Sequence, residues 1–140
     1  MIDEEAEALA EMMLPGLGCP CGSGTPLAGC CGPVLADPAS AVRAEQLMRA
    51  RYAAFATGDA TFLRASWDPG TRPPDIQLDP AMTWNSLEIV DIVAGGPDDD
   101  DGIVEFRALF TRDDVPGGIH ERSRFQRRHG VWHYVDGVHL

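Results

Sequence analysis

Two different periods of apolar residues divide the chain. Between Ala44 and Phe55 the apolar positions Ala44, Leu47, Met48, Tyr52 and Phe55 recur at three- and four-residue intervals, which puts them on one face of a helix. Asp37 followed by Pro38 reads as an N-cap with proline at the first helical position. Gly58 reads as the C-terminal stop. Asp59 then suits the cap of a second, shorter helix through Phe62, Leu63 and Trp67. The stretch "DPGTRPPDIQLDP" has no helical period and reads as a proline-rich loop.

From Thr83 onward the period becomes two. "WNSLEIVDIVAGG" sets Leu87, Ile89, Asp91 and Val93 against Glu88, Val90 and Ile92, and "IVEFRALF" sets Val104, Phe106, Ala108 and Phe110 on one face. Between them "PDDDDG" is an exposed turn, because four adjacent acids repel one another and belong in water. "RDDVPGG" turns the chain again, and "IHERSRFQRR" is the third strand. His129-Gly130 is a tight-hairpin signal leading into "VWHYVDG". Two helices followed by a four-strand antiparallel meander make an α+β domain, with the helices covering one face of the sheet.

The segment ahead of this domain has neither period for long. Residues 1–17 form a leader in which Ile2, Ala6, Leu9 and Met13 have helical spacing, so a short amphipathic helix or a frayed end both suit it. Residues 15–33 are rich in Gly and Pro and almost without large apolar side chains. Burial cannot offset the ordering entropy of such a segment, so a covalent or ionic element has to fix it.

That element is in "GCPCGSGTPLAGCCG", residues 18 to 32, which holds all four cysteines: Cys19, Cys21, Cys30 and Cys31. A disulfide within either close pair would be strained. A thioredoxin-type centre needs two residues between its thiols, which neither pair has. Cross-paired disulfides fit the geometry but not a reducing compartment. A closed tetrahedral thiolate site explains more, with zinc the first choice and iron the alternative. Gly22, Ser23 and Gly24 let the backbone turn and aim amides at sulfur. Such a site leaves no open position for a substrate.

Composition narrows the function further. With 22 acidic and 11 basic residues in 140, the formal net charge is −11, which repels phosphate backbones and disfavours nucleic-acid partners. Every basic residue is arginine; with no lysine, Schiff-base chemistry and a Walker-type phosphate lysine are excluded. No apolar run approaches a membrane span, and the acidic start does not resemble a secretory signal, so a cytoplasmic protein is expected.

"CPCGSGTPLAGCC" resembles the SEC-C motif, the small metal knuckle of the bacterial protein-translocase motor and other proteins, in which the fourth ligand is histidine or cysteine. Here it is Cys31, and Thr25, Pro26, Leu27 and Ala28 stand where basic residues are usual. "CGPVLADPASAVRAEQLMRARYAAFATGDATFLRASWDPGTRP", with "WNSLEIVDIVAGG", "GIVEFRALF" and "HERSRFQRRHGVWHYVDG", is similar to the YchJ-like family. With the knuckle included, the resemblance spans residues 19 to 137. It implies a knuckle at residues 18–33 followed, over residues 34–140, by a nuclear-transport-factor-2-like domain, a cone of helices against a bent sheet.

Outside the cysteines the strand "HERSRF" holds the candidate chemistry. Alternation turns Glu121, Ser123 and Phe125 inward and His120, Arg122 and Arg124 outward. Glu121 and Ser123, with Arg51, Tyr52, Trp67 and Trp132, are candidates to line a pocket in the cone, with His120 near its mouth. The alternative is a structural pairing of the buried carboxylate with Arg51 or Arg107. Arg122, Arg124, Arg127 and Arg128 form the one basic stretch, read as a solvated edge balanced by Asp98 to Asp101. No catalytic set is complete. The reading is therefore a non-enzymatic metal-knuckle protein with a protein partner on a cone-shaped scaffold, its oligomeric state open and a dimer among the options. A small-molecule binder or enzyme using the pocket, and an RNA- or ribosome-associated accessory protein, are the alternatives.

Overall fold

A computed structural model describes residues 18–140; the predicted leader helix lies outside them. Helix α1 (Gly32–Ala36) starts directly after Cys31 and runs across the expected boundary between knuckle and domain. Asp37 does act as a cap, but of the 3-10 turn Pro38–Ser40, where its carboxylate accepts a hydrogen bond from Ala39 N. The long helix α2 (Ala44–Thr57) therefore begins later than expected. Ala41 is extended and breaks the run, and Gln46 Oε1 folds back to accept from the amides of Val42 and Arg43, both at 2.8 Å. Two otherwise orphaned donors are satisfied by that one side chain.

The stops behave as read. Gly58 is left-handed and ends α2, and Asp59 caps helix α3 (Ala60–Ala65) by accepting from Phe62 N. Helix α3 ends before Trp67, which instead makes an isolated bridge with Tyr134.

The sheet is a meander in the order β1-β2-β3-β4, with β1 Met82–Ala94, β2 Asp101–Arg112, β3 Val115–Arg128 and β4 Val131–His139. Asp113 and Asp114, both at positive φ, complete the β2–β3 turn alone, so Val115 to Gly118, read as turn, pair within the sheet. His129 and Gly130 close the β3–β4 hairpin in the same way.

Three register shifts alter the side-chain phase, the first in β1 between Trp84 and Ser86. In β1 the register slips between Ile89 and Asp91, so Ile92 lies opposite Val104 and Asp91 opposite Glu105. The uninterrupted alternation read across this strand is corrected there: Asp91 joins the outer face, not that of Leu87 and Ile89. In β4 the slip falls at Val135, between the pairs Arg124↔Asp136 and Phe125↔Tyr134.

Helix α2 packs its alanines and Leu47 onto the inner face of the sheet, where Val104, Ala108 and Phe125 are buried. Each fully buried side chain of Leu or Phe size contributes about 1.5–3 kcal/mol. Cys19, Cys21 and Cys31 belong to the same buried cluster as Leu47 and Met48, so the knuckle is part of the wall.

Candidate metal centre and cone cavity

The turn after Cys21 runs through Gly22 and Gly24, both left-handed, and it brings the two cysteine pairs face to face. All four sulfurs lie within 4.8 Å of one another. Cys21 Sγ is 3.5 Å from Cys30 Sγ, which is 4.0 Å from Cys31 Sγ. A tetrahedron with metal–sulfur bonds of 2.3 Å has edges of about 3.8 Å, so the sulfurs already stand at the spacing a tetrathiolate metal ion needs. The four cysteines are positioned to hold a metal ion.

The surroundings suit negative sulfur. Ser23 Oγ lies 3.1 Å from Cys30 Sγ. The backbone amides of Cys21 and Cys31 favour the Cys19 thiolate, although burial is the larger influence and raises that pKa. A hydrogen bond from the Cys31 thiol holds Cys21 down at about 4, and the same contact pushes Cys31 up. Ionisation of Cys21 thus opposes that of Cys31, and a shared cation is what lets them all ionise. Arg49, on α2, adds positive charge: its Nη1 donates to the Cys21 carbonyl oxygen at 3.3 Å, and its Nε donates to Glu45 at 2.9 Å.

A cavity of about 300 Å³ lies on the other side of α2, between that helix and the inner face of the sheet. Met48, Phe55, Trp84, Phe106, Ala108 and Ile119 form its apolar lining. Arg51, Tyr52, Trp67, Glu121, Tyr134 and His139 complete it. Arg51 is 3% exposed; its Nη1 donates to Ser66 Oγ at 2.7 Å and to the Leu63 carbonyl at 3.0 Å. Its guanidinium carbon sits beside two mutually perpendicular rings, 4.8 Å from the centre of Trp67 and 4.4 Å from that of Tyr134. Burial lowers its pKa to about 10, partly offset by the nearby Tyr134 and Glu121. Among the described residues no carboxylate pairs with it, so the structural ion pair of Glu121 with Arg51 is not made. Glu121 instead accepts from Ser123 Oγ at 2.7 Å and faces His139 Nε2 at 3.3 Å.

Of the residues read as pocket candidates, Arg51, Tyr52, Trp67 and Glu121 do meet around one cavity. Ser123 is fully buried behind Glu121 and orients it. Trp132 does not line the cavity; it is buried at the far end, its indole N–H donating to the Val42 carbonyl. The placement of His120 at the mouth is corrected, since strand alternation turns it outward onto Glu105 at 2.8 Å. His139 stands beside Glu121 instead, through the bulge at Val135. Trp84 and Tyr134 were not singled out from sequence because only the register reveals their place. Tyr134 lies opposite Phe125, which the sequence does mark as inward.

The arginine strand is balanced, though not by the acids expected. Arg122 pairs with Asp91 and Glu105, Arg124 with Asp136, and Arg128 with the buried Asp68. Only Arg127 reaches the acidic turn, at Asp100.

Comparison with known proteins agrees with this architecture. The family model for the YchJ middle NTF2-like domain matches residues 43–137. A UPF0225 protein of Streptomyces coelicolor is 45% identical over 127 residues, covering 91% of this chain and 99% of that protein. Another, from Chromobacterium violaceum, is 44% identical, covering 86% and 91% of the two chains. The chain belongs to the YchJ-like, UPF0225 family. The solution structure of a SEC-C motif containing protein from Rhodopseudomonas palustris superposes with a TM-score of 0.75 at 33% identity, over 88% of this chain and 98% of that one. A SEC-C motif containing protein from Psychrobacter arcticus gives 0.63 at 26% identity, over 85% and 80%. For this UPF0225 protein the expected fold and the cysteine motif therefore stand together. Among the described residues no helix is long and apolar enough to cross a membrane.

Proposed function

We propose that this UPF0225 protein is a cytoplasmic small-molecule-binding protein whose cone is braced by a structural zinc ion. Zinc suits a closed tetrathiolate with no vacant position and no need for redox change, and its role is to hold the knuckle against α2. The cone supplies the binding site. The observation that carries the reading is the cavity itself: largely aromatic, about 300 Å³, and walled by Arg51, a buried cation without a carboxylate partner among the described residues. Binding without turnover is favoured because among the described residues no serine, threonine or cysteine lines the cavity, and Glu121 is engaged by Ser123 and His139.

Native mass spectrometry of the protein recovered from its own cells tests this, with Ala108→Trp as the filled-cavity control. A bound mass present in wild type and absent from the variant supports the reading. Identical spectra from the two, each with one zinc and nothing else, overturn it.

The outer side of the knuckle supports a second reading, a docking surface for a protein partner. Gly22 to Thr25 are exposed and Leu27 is 40% exposed, whereas the sulfurs face inward. Affinity capture with wild type and Leu27→Asp addresses it; equal recovery of every captured protein rules out this surface. RNA association has less support, because all four arginines of the strand are matched by acids.

A further inference from the structure

The cavity has chemistry that points to one class of ligand. Arg51 carries a permanent charge in a site lined mostly by aromatic and aliphatic side chains, and burial opposes that charge. All its hydrogen bonds to described residues are made by Nη1, and both acceptors are neutral. Both acceptors have a further contact. Ser66 Oγ donates to the Phe62 carbonyl, and the Leu63 carbonyl also lies 3.3 Å from that hydroxyl. The Arg51 charge lies against the Trp67 and Tyr134 rings, which stand perpendicular to each other, and the Nε and Nη2 of Arg51 donate to no described residue. In the same wall, the indole N–H of Trp67 is buried with no partner among the described residues. Buried donors without acceptors are costly, and a protein that keeps them at a cavity has them for something that arrives.

We propose that the cavity binds a small aromatic monocarboxylate, its carboxylate on the free edge of Arg51 and its ring among Phe55, Trp84 and Phe106. This rests on the small-molecule-binding reading and specifies its ligand. A carboxylate matches the planar fork of arginine with two parallel hydrogen bonds. The cavity lies at the lower end of the size range of ligand sites, which restricts the ring system to one or two rings. Glu121 limits the charge. Its carboxylate faces the same space, so a second acidic group on the ligand meets a like charge, while a hydroxyl or N–H on the ring finds an acceptor. The cation in the wall, not the overall charge of −11, decides the sign, because inside a cavity the nearest charge dominates.

Four matched probes test this on the zinc-loaded full-length protein by calorimetry: phenylacetate, phenylmalonate, phenylacetamide and 2-phenylethylamine. Phenylacetate is expected to bind at least about tenfold tighter than each of the others, the value of one charge-assisted pair. Arg51→Met is expected to erase the preference for acid over amide with the fold intact by thermal melting. Trp67→Phe, which removes only the N–H, reports the second donor by a smaller loss. Amide or amine binding as well as the acid overturns the carboxylate class while the pocket reading stands. Equal binding of phenylmalonate overturns the single-charge rule. If none of the four binds, the proposal is overturned, and recovery of a ligand from cells then judges the pocket reading separately.

Discussion

Arg49 Nη1 lies 3.3 Å from the carbonyl oxygen of Cys21 and 3.9 Å from its sulfur, so one side chain joins the wall helix α2 to the metal ligands. Four thiolates on a divalent ion leave a net charge of −2, and the guanidinium offsets part of it. Groups that steady metal ligands in this way are worth about 10–100-fold in affinity. Arg49→Met is therefore expected to weaken zinc binding at least about tenfold in a chelator competition, with the fold retained. Unchanged affinity would mean that the contact is incidental.

Removing the metal should loosen more than the knuckle. Cys21 is fully buried, and Cys19 and Cys31 nearly so, in one cluster with Leu47 and Met48 of the cone. Chelation leaves these thiols facing one another without a cation, so the stability of the whole domain is expected to fall by several kcal/mol, as structural metal sites do on losing their ion. Cys31→Ser should reproduce the fall in the presence of zinc. A chelated protein whose cone melts at the temperature of the loaded form would separate the two parts energetically.

How much of this was legible beforehand depends on how local the signal is. Gly58 and His129-Gly130 act through their own backbones and Asp59 through a carboxylate three residues from its donor, and each does what its residue type dictates. The start of α2 was misplaced because Asp37-Pro38 is an equally good opening for a 3-10 turn, and Gln46 folding back on Val42 competes with it only in three dimensions. The cavity was half legible. Counting back from the His129-Gly130 turn pairs Glu121 with Val138, and the bulge at Val135 moves the pairing on to His139. A bulge has no fixed residue signature, so the carboxylate could be read as inward while its histidine neighbour could not.

Acid should remove a defined part of the stability. A hydrogen bond from His120, then that of Arg122, holds the Glu105 carboxyl below the usual range, and Arg124 does the same for Asp136. A depressed folded value means that the unfolded chain binds more protons between the two values. The contribution is therefore full above the ordinary carboxylate range of about 4 and is lost as pH falls through the folded value. In urea titrations, the difference between wild type and Glu105→Gln is expected to be constant above about pH 5 and to shrink steadily below it. A difference that holds unchanged down to about pH 2 contradicts the assigned pairing.

Gly137 makes room for Glu121. A Cβ at this position would overlap the carboxyl carbon of Glu121 and lie 2.7 Å from its Oε1, so the side chain has to leave its hydrogen bond with Ser123. Gly137→Ala is expected to cost about 1–3 kcal/mol, the range for overpacking, and to weaken ligand discrimination at the cavity. Stability within about 0.5 kcal/mol of wild type, with unchanged discrimination, would show that Glu121 has room to move elsewhere.

Arg51 should prove better suited to binding than to folding. Its charge is taken out of water with only two neutral acceptors and two aromatic rings in return, and burial lowers its pKa to about 10. When it is removed Ser66 keeps the Phe62 carbonyl, and the Leu63 carbonyl lies 3.3 Å from the same hydroxyl. Replacing a buried ionic group by an apolar one of similar volume is commonly neutral or stabilising by about 1–4 kcal/mol, provided that nothing is left unpaired. Arg51→Met meets that condition, because Glu121 keeps Ser123 and His139. Denaturant midpoints are expected to stay level or rise, while preference for a carboxylate ligand is lost. If Arg51→Met instead unfolds the domain, the guanidinium is a structural keystone and its free donors have no ligand to explain them. A stable variant that has lost its acid preference would show that the cone retains this cation at the expense of stability, for the sake of what it binds.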